Sequence, residues 1–313
     1  MKVLVTGAAG FIGSHLMERL LARGDDAVGL DWYGDNYPPS IKRQNAAAFA
    51  DRVVEGDILN VALLDDLFAK HDFEAVVHLA ALPGVRPSIA EPGRYQAVNV
   101  EGTAQIVDAM HRAGVKRLVF ASSSSVYGRN EERPYRETDR VDQPASPYAS
   151  SKRAGELLLT TLHPIFQIGV TSLRYFTVYG PRQRPEMAIH KFVKAVEEGT
   201  PIPMFGNGET SRDYTYVDDI IDGTVAALDR CDERFRIYNL GDNRPVTLRE
   251  LIDKVGEAVG KEPIIEELEE QAGDVQHTLA CIDQAAADLG YAPKVPIEEG
   301  LRRFVDWYRA QEA

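Results

Sequence analysis

Through the first 175 residues, short apolar runs alternate with stretches of amphipathic, helix-like periodicity. The apolar runs are Lys2-Val-Leu-Val-Thr6, Ala27-Val-Gly-Leu-Asp31, Arg52-Val-Val-Glu55, Glu74-Ala-Val-Val-His-Leu79, Lys116-Arg-Leu-Val-Phe-Ala121 and Gly169-Val-Thr-Ser-Leu-Arg174. Each is short enough for a buried parallel strand. Helical patterns over Phe11 to Arg23, Val61 to Lys70, Tyr95 to Ala113 and Tyr148 to Phe166 fill the gaps. That βαβ repetition predicts the α/β class with a doubly wound parallel sheet. Right-handed crossovers put ligands at the carboxyl ends of such strands, where Ser122 to Ser125 and the loop Ala80 to Arg86 both begin. Past residue 175, Pro181, Pro185, Pro201 and Pro203 with Gly180, Gly199, Gly206 and Gly208 break the alternation into short pieces. A helix over Asp218 to Arg230 and a strand over Arg236 to Leu240 predict a return to the sheet. Thr247-Leu-Arg-Glu250 is a capping box and Leu301 to Arg309 a terminal amphipathic helix, both structural. There is no internal repeat or low-complexity tract.

The first run passes directly into Gly7-Ala-Ala-Gly10-Phe-Ile-Gly13. Strand, glycine turn and helix together make a phosphate cradle. Gly7 permits the tight turn, Gly10 the approach of backbone to a pyrophosphate, and Gly13 close helix packing. The helix N-terminus then offers free N–H groups to the anion. The second run ends on Asp31, where a ribose-binding carboxylate belongs, and Asp31 is expected to accept from both ribose hydroxyls and repel a 2′-phosphate. These features predict a Rossmann sheet that binds NAD in preference to NADP. The expected division is an NAD-binding domain at 1–174 with a return at 213–241, and a smaller, mainly substrate-binding domain at 175–313.

Composition narrows the setting. A chain of 313 residues, 44% hydrophobic and 27% charged, suits an ordinary globular protein with two subdomains around one cleft. No apolar stretch reaches the length of a membrane span, and a first strand starting at residue 2 leaves no room for a secretory signal. Two cysteines, Cys231 and Cys281, make neither a disulfide framework nor a metal cluster, which suits the cytoplasm. The net charge of −13 argues against nucleic acid or anionic membrane as partner, and requires locally placed arginines for any anionic substrate. Seven histidines lack ligand spacing, so no metal is expected, and His15 and His78 read as packing or hydrogen-bonding groups.

Tyr148 and Lys152 set a phenol one helical turn before an ammonium. Making a phenolate available near neutrality takes a depression of about three pKa units, roughly 4 kcal/mol, and a nearby cation can supply much of it. Alone, this spacing more often marks an exposed amphipathic helix. Beside a dinucleotide turn it marks proton removal from an alcohol coupled to hydride transfer from the same carbon. The serines at 122 to 125 either hold the substrate oxygen or only cap a strand-end turn.

Thr6-Gly-Ala-Ala-Gly-Phe-Ile-Gly13, Ser-Ser-Val-Tyr-Gly at 124–128, the Tyr148 and Lys152 pair, Arg174-Tyr-Phe-Thr-Val-Tyr-Gly-Pro181 and Arg212-Asp-Tyr-Thr-Tyr-Val-Asp-Asp219 together resemble the NAD-dependent epimerase/dehydratase family. These are extended short-chain dehydrogenases that modify nucleotide sugars, and the likeness keeps motif order over almost the whole chain. It implies Ser123, Tyr148 and Lys152 as the catalytic set and Asp57 and Ile58 as an adenine-contacting pair. The implied cofactor set is completed by Phe11, Ile12, Leu79, Ala80, Ala81, Asn99, Ser122 and Tyr175. The family's 4,6-dehydratases carry Asp-Glu after the catalytic Thr, where this chain has Ser124-Ser125, so it looks like a 4-epimerase. The implied cycle is oxidation at sugar C4, rotation of a transient 4-keto sugar, and hydride return to the opposite face.

Gly84-Val-Arg-Pro-Ser88 and Tyr179-Gly-Pro-Arg-Gln-Arg-Pro-Glu-Met187 look closest to the UDP-glucuronate 4-epimerases, which convert UDP-glucuronate to UDP-galacturonate. A uronate adds a carboxylate to the pyrophosphate, and Arg86, Arg182, Arg184 and Arg212 are candidate partners. Ser123, Ser124, Thr177 and Asp274 complete the expected substrate set, although Gln271-Ala-Gly-Asp274 departs from the family's Arg-Pro-Gly-Asp. Thr177 and Arg184 are expected to hold the carboxylate away from the geometry that favours loss of carbon dioxide. The rivals are a UDP-glucose/UDP-galactose 4-epimerase, a UDP-glucuronate decarboxylase and a non-catalytic NAD-binding sensor or scaffold. The resemblance also implies a homodimer through the helices at about 95–113 and 148–166.

Overall fold

The computed structural model describes residues 1–34, 37–269 and 275–312. The first half runs β1 (Lys2–Thr6), α1 (Phe11–Ala22), β2 (Asp26–Asp31), α2 (Pro39–Asn45), β3 (Val53–Glu55), α3 (Val61–Lys70), β4 (Ala75–His78), α4 (Val85–Ala90), α5 (Pro92–Gln96), α6 (Gly102–Ala113), β5 (Arg117–Ser123), α7 (Pro147–Phe166) and β6 (Gly169–Tyr175). The second half runs β7 (Thr177–Tyr179), α8 (Ala188–Glu198), β8 (Ile202–Phe205), β9 (Ser211–Tyr216), α9 (Val217–Asp229), β10 (Phe235–Leu240), β11 (Pro245–Thr247), α10 (Leu248–Val259), β12 (Ile265–Leu268), α11 (Asp283–Leu289) and α12 (Ile297–Glu312). The central sheet has seven strands in the order β10-β6-β5-β4-β1-β2-β3, all paired in parallel.

That order places the crossover from β1 to β2 on one side and from β4 onward on the other, so the carboxyl ends of β1 and β4 flank a switch point. Strand alternation builds a layer on each face. Val3 and Val5 of β1 pack with Leu16, Met17 and Leu20 of α1 and with Ile220 and Ile221 of α9. Leu4 of the same strand packs with Leu64 of α3, Ile106 and Met110 of α6 and Leu159 of α7. Each such side chain contributes roughly 1.5–3 kcal/mol on burial. The first layer continues into Leu251 and Val255 of α10 and Phe304 of α12, so the later elements share one core with the sheet.

Two smaller sheets, β11-β9-β7 and β12-β8, occupy the proline-interrupted second half. β10 returns to the sheet edge beside β6, as the strand pattern at 236–240 predicts. Thr247 caps α10 by accepting from the Glu250 amide at 3.1 Å, as the capping box predicts. The helix read over Tyr95 to Ala113 differs. It is broken into α5, a π turn over Ala97–Glu101, and α6. Asn99 explains the break: its amide bonds both backbone groups of Leu82, at 2.7 and 3.1 Å, and its carbonyl receives the Thr103 hydroxyl. A wider turn is what lets that side chain reach the loop after β4.

Candidate active site

The turn after β1 is built as its glycines require. Gly7 adopts φ +72°, and its amide donates to Leu30 O at 2.7 Å. A Cβ on Gly13 would stand 2.0 Å from Gly7 O, so only glycine lets α1 come this close. Gly10 precedes α1 without any side-chain cap, leaving the first-turn amides facing the cleft. Thr6 Oγ1 meets His78 Nδ1 at 2.7 Å and accepts from Ala80 N at 3.2 Å, while His78 Nε2 meets Thr103 Oγ1 at 3.1 Å. This chain of bonds fixes the loop after β4. Burial, helped by the Lys152 charge, lowers the His78 pKa to about 3, so the ring is a neutral brace. His15 likewise braces, through Pro181 O at 2.9 Å.

Ser146 accepts from Ala149 N at 3.1 Å and Pro147 opens the helix, which sets Tyr148 in the first turn of α7 and Lys152 one turn on. Tyr95 stands edge-on to the Tyr148 ring, with centroids 6.3 Å apart. Lys152 Nζ donates to Ala121 O at 2.8 Å. Ser123, last in β5, accepts from Ser125 N at 3.1 Å and hydrogen-bonds Tyr148. It therefore caps the strand-end turn and also stands beside the phenol. Ser122 turns its hydroxyl to Glu156 at 2.6 Å, and Glu156 also takes two 2.9 Å bonds from the buried Arg174.

Burial pushes the Tyr148 phenol up; the Ser123 hydrogen bond and the Arg184 charge pull it down. Burial also drives Lys152 from its usual range down to about 7. The expectation that Lys152 supplies much of the depression differs from the structure: desolvation leaves the amine only partly charged at neutral pH, and burial keeps the phenol above its usual range, opposed by Ser123 and Arg184.

These groups line a single cleft of about 340 Å³, within the range of ligand sites. Gly7, Gly10, Phe11, Ile12, Gly13, Asp31, Asp57, Ile58, Leu79, Ala80, Ala81, Ser122, Tyr148, Lys152 and Tyr175 of the expected cofactor set all line it. Asn99 does not; its side chain is spent on Leu82 and Ser151. Of the expected substrate set, Ser123, Ser124, Thr177 and Arg184 line the cleft, with Arg184 paired to Glu186 at 2.8 Å. Arg182 instead bonds Glu18 at 2.7 Å, and Arg212 bonds Ser211 O and Gln276 O at 3.0 and 3.2 Å. Arg86 lies on α4 outside the lining. Asp274 and Gln271 lie outside the described residues.

Sequence reasoning missed Trp32, Tyr37, Lys42, Gly56, Leu82, Pro83, Val98, Phe176, Val178 and Met187, which also line the cleft. Most are apolar and carry no chemical signature. Lys42 is the exception: it lies in α2, eleven residues beyond Asp31, and bonds that carboxylate at 3.0 Å. Among the described residues, no group of His, Cys, Asp or Glu could hold a metal ion.

The model of the NAD dependent epimerase/dehydratase family matches residues 3–241. The UDP-glucuronate 4-epimerase of Thermodesulfobacterium geofontis is 40% identical, over 97% of this chain and 95% of that one. The crystal structure of UDP-glucuronic acid 4-epimerase from Bacillus cereus, in complex with UDP-glucuronic acid and NAD, superposes with a TM-score of 0.93 at 37% identity, covering 99% of this chain and 100% of that one. The UDP-glucose 4-epimerase of Thermotoga maritima, solved with UDP-glucose, superposes at 0.91 with 32% identity over 100% of both chains.

Proposed function

The chain belongs to the NAD dependent epimerase/dehydratase family, and from that premise we propose that it is an NAD-dependent isomerase acting at C4 of UDP-glucuronate to form UDP-galacturonate. The observation that carries the reading is the convergence of Ser123, Tyr148, Lys152, Thr177 and Arg184 on one cleft with the glycine turn. The residues present fit NAD: the uncapped α1 N-terminus and the glycines that admit no Cβ suit the pyrophosphate, and Asp31 and Asp57 suit the adenosine end. NAD, when bound, accepts hydride from sugar C4 and returns it.

Tyr148 takes the proton of the 4-hydroxyl and gives it back after the sugar has turned. Ser123 holds the same oxygen from its hydrogen-bonded position on the phenol. Lys152, tied to the Ala121 carbonyl, adds positive charge to the cleft to the extent that it is protonated. Thr177 and Arg184 hold the uronate carboxylate near the ring plane, away from the alignment in which a 4-keto acid loses carbon dioxide. The remaining expected cofactor residues that line the cleft, Asn99 excepted, bind NAD along the sheet, and the second-half elements bind the nucleotide sugar.

The 1–174 region with the return at 213–241 forms the cofactor side, and 175–313 mainly the substrate side. We also read the chain as a homodimer through α7 and its neighbours, since Leu157 and Ile165 of α7 and Ile89 of α4 expose large apolar side chains. Free, buried Cys231 and Cys281 suit a reducing cytoplasm. Among the described residues no helix is long and apolar enough to cross a membrane.

Initial rates on UDP-glucuronate and UDP-glucose, with product chirality read by NMR, test the substrate. A faster rate on the uronate, with Arg184→Ala raising its KM and the share of pentose product, supports the reading. A neutral hexose turned over faster, or an Arg184→Ala enzyme unchanged in both respects, overturns it.

A further inference from the structure

One buried ion pair in the cleft has no part in the chemistry at C4. Asp31 Oδ1 accepts from Lys42 Nζ at 3.0 Å and from Tyr33 N at 2.9 Å, and Oδ2 accepts from Ala9 N at 3.1 Å. Both side chains are almost fully buried, 5% exposed for Lys42 and 2% for Asp31, and both residues line the cleft. An ionised carboxylate offers about four acceptor sites, so the protein already occupies three. One site remains for a ribose hydroxyl, not the two expected from the sequence. The pair also carries no net charge, so Asp31 repels a 2′-phosphate far less than a lone carboxylate does.

We propose that Lys42 is a specificity-determining residue, and that the Asp31–Lys42 pair acts as a charge-balanced selector for the 2′ position of the dinucleotide. The inference rests on the NAD reading above and goes beyond it. The ammonium is a latent phosphate site, occupied by Asp31. A 2′-phosphate must displace the carboxylate from a buried pair and leave it unpartnered, which is unfavourable. Removal of the carboxylate leaves a buried ammonium beside the space the carboxylate filled, a charge-assisted site for phosphate. Removal of the ammonium leaves an unbalanced anion, and discrimination against the phosphate increases. Three charge states, +1, 0 and −1, therefore give an ordered series.

The test is isothermal titration of NAD and NADP into the full-length chain cleared of copurified nucleotide, for wild type, Asp31→Ser, Lys42→Met and the double variant. The ratio of the NADP Kd to the NAD Kd is expected to fall at least about tenfold in Asp31→Ser and to rise about tenfold in Lys42→Met, a factor typical of one charge-assisted bond. The double variant loses the NADP gain of Asp31→Ser. Asp31→Ser alone is expected to melt below wild type and to recover in NADP more than in NAD. Failure of NADP to rescue its folding or binding counts against the proposal. A Lys42→Met ratio equal to that of wild type overturns it, as does a double variant that keeps the NADP gain. Wild type that binds neither dinucleotide overturns the NAD reading together with this one; wild type that binds NAD while the series is unordered overturns this one alone.

Discussion

On the proposed reading Tyr148 and Lys152 carry the chemistry, and each makes a prediction of its own. Tyr148→Phe keeps the ring that packs against Tyr95 and removes only the oxygen, so kcat is expected to fall by about 10²–10⁴ while NAD affinity holds. Single-turnover kinetics with a binding titration check this. Lys152 is driven from 10.5 to about 7 by burial, so the unfolded chain binds more protons between those values. Stability conferred by this site therefore rises with pH through that window, and the cost of the buried charge is largest below pH 7, at roughly 5 kcal/mol as an upper bound. Lys152→Met is expected to gain stability in urea at pH 6, by up to a few kcal/mol, and to lose that gain by pH 10. A gain independent of pH contradicts it. The pair itself was legible in the sequence, because helical spacing is a local property. The depth of its burial was not, and burial decides how much charge Lys152 carries. Lys42 was invisible for the same reason: only the fold of α2 onto β2 brings it to Asp31.

At the scale of elements, the glycine turn is closely packed and the β5–α7–β6 junction is tied by buried bonds to Glu156. Gly13→Ala places a methyl 2.0 Å from Gly7 O, so the turn must shift; dinucleotide affinity is expected to drop at least tenfold and stability by about 1–3 kcal/mol. Titration and urea unfolding measure both. Glu156→Gln strips the anion from Arg174, whose side chain is 1% exposed, and is expected to cost roughly 3–5 kcal/mol, read by urea unfolding at constant m-value. Strand and helix limits followed from apolar period alone to within about two residues along the sheet, because a doubly wound sheet buries both faces of each strand. The π turn at 97–101 escaped, since its cause is the bond of Asn99 to Leu82, a contact across 17 residues that no local period records. That same bond explains why Asn99, expected at the cofactor, supports the cleft from behind.

At the scale of the whole molecule, an acidic chain has drawn a single arginine, among the described residues, into the lining of its cleft. Motif order made the family legible, but four arginines of equal standing in the sequence separate only in space: Arg182 and Arg212 are held by Glu18 and by backbone carbonyls, Arg86 lies outside the lining, and Arg184 lines the cleft, where its charge opposes the rise that burial imposes on the phenol. The proposed function requires that hydride leaves C4 and returns to it without meeting solvent. Incubation of the purified protein with UDP-glucuronate in heavy water, followed by mass spectrometry and NMR of the product, tests this directly. UDP-galacturonate with no deuterium on any ring carbon is the predicted result; deuterium at C4, a pentose as the main product, or no change of configuration at C4 contradicts it.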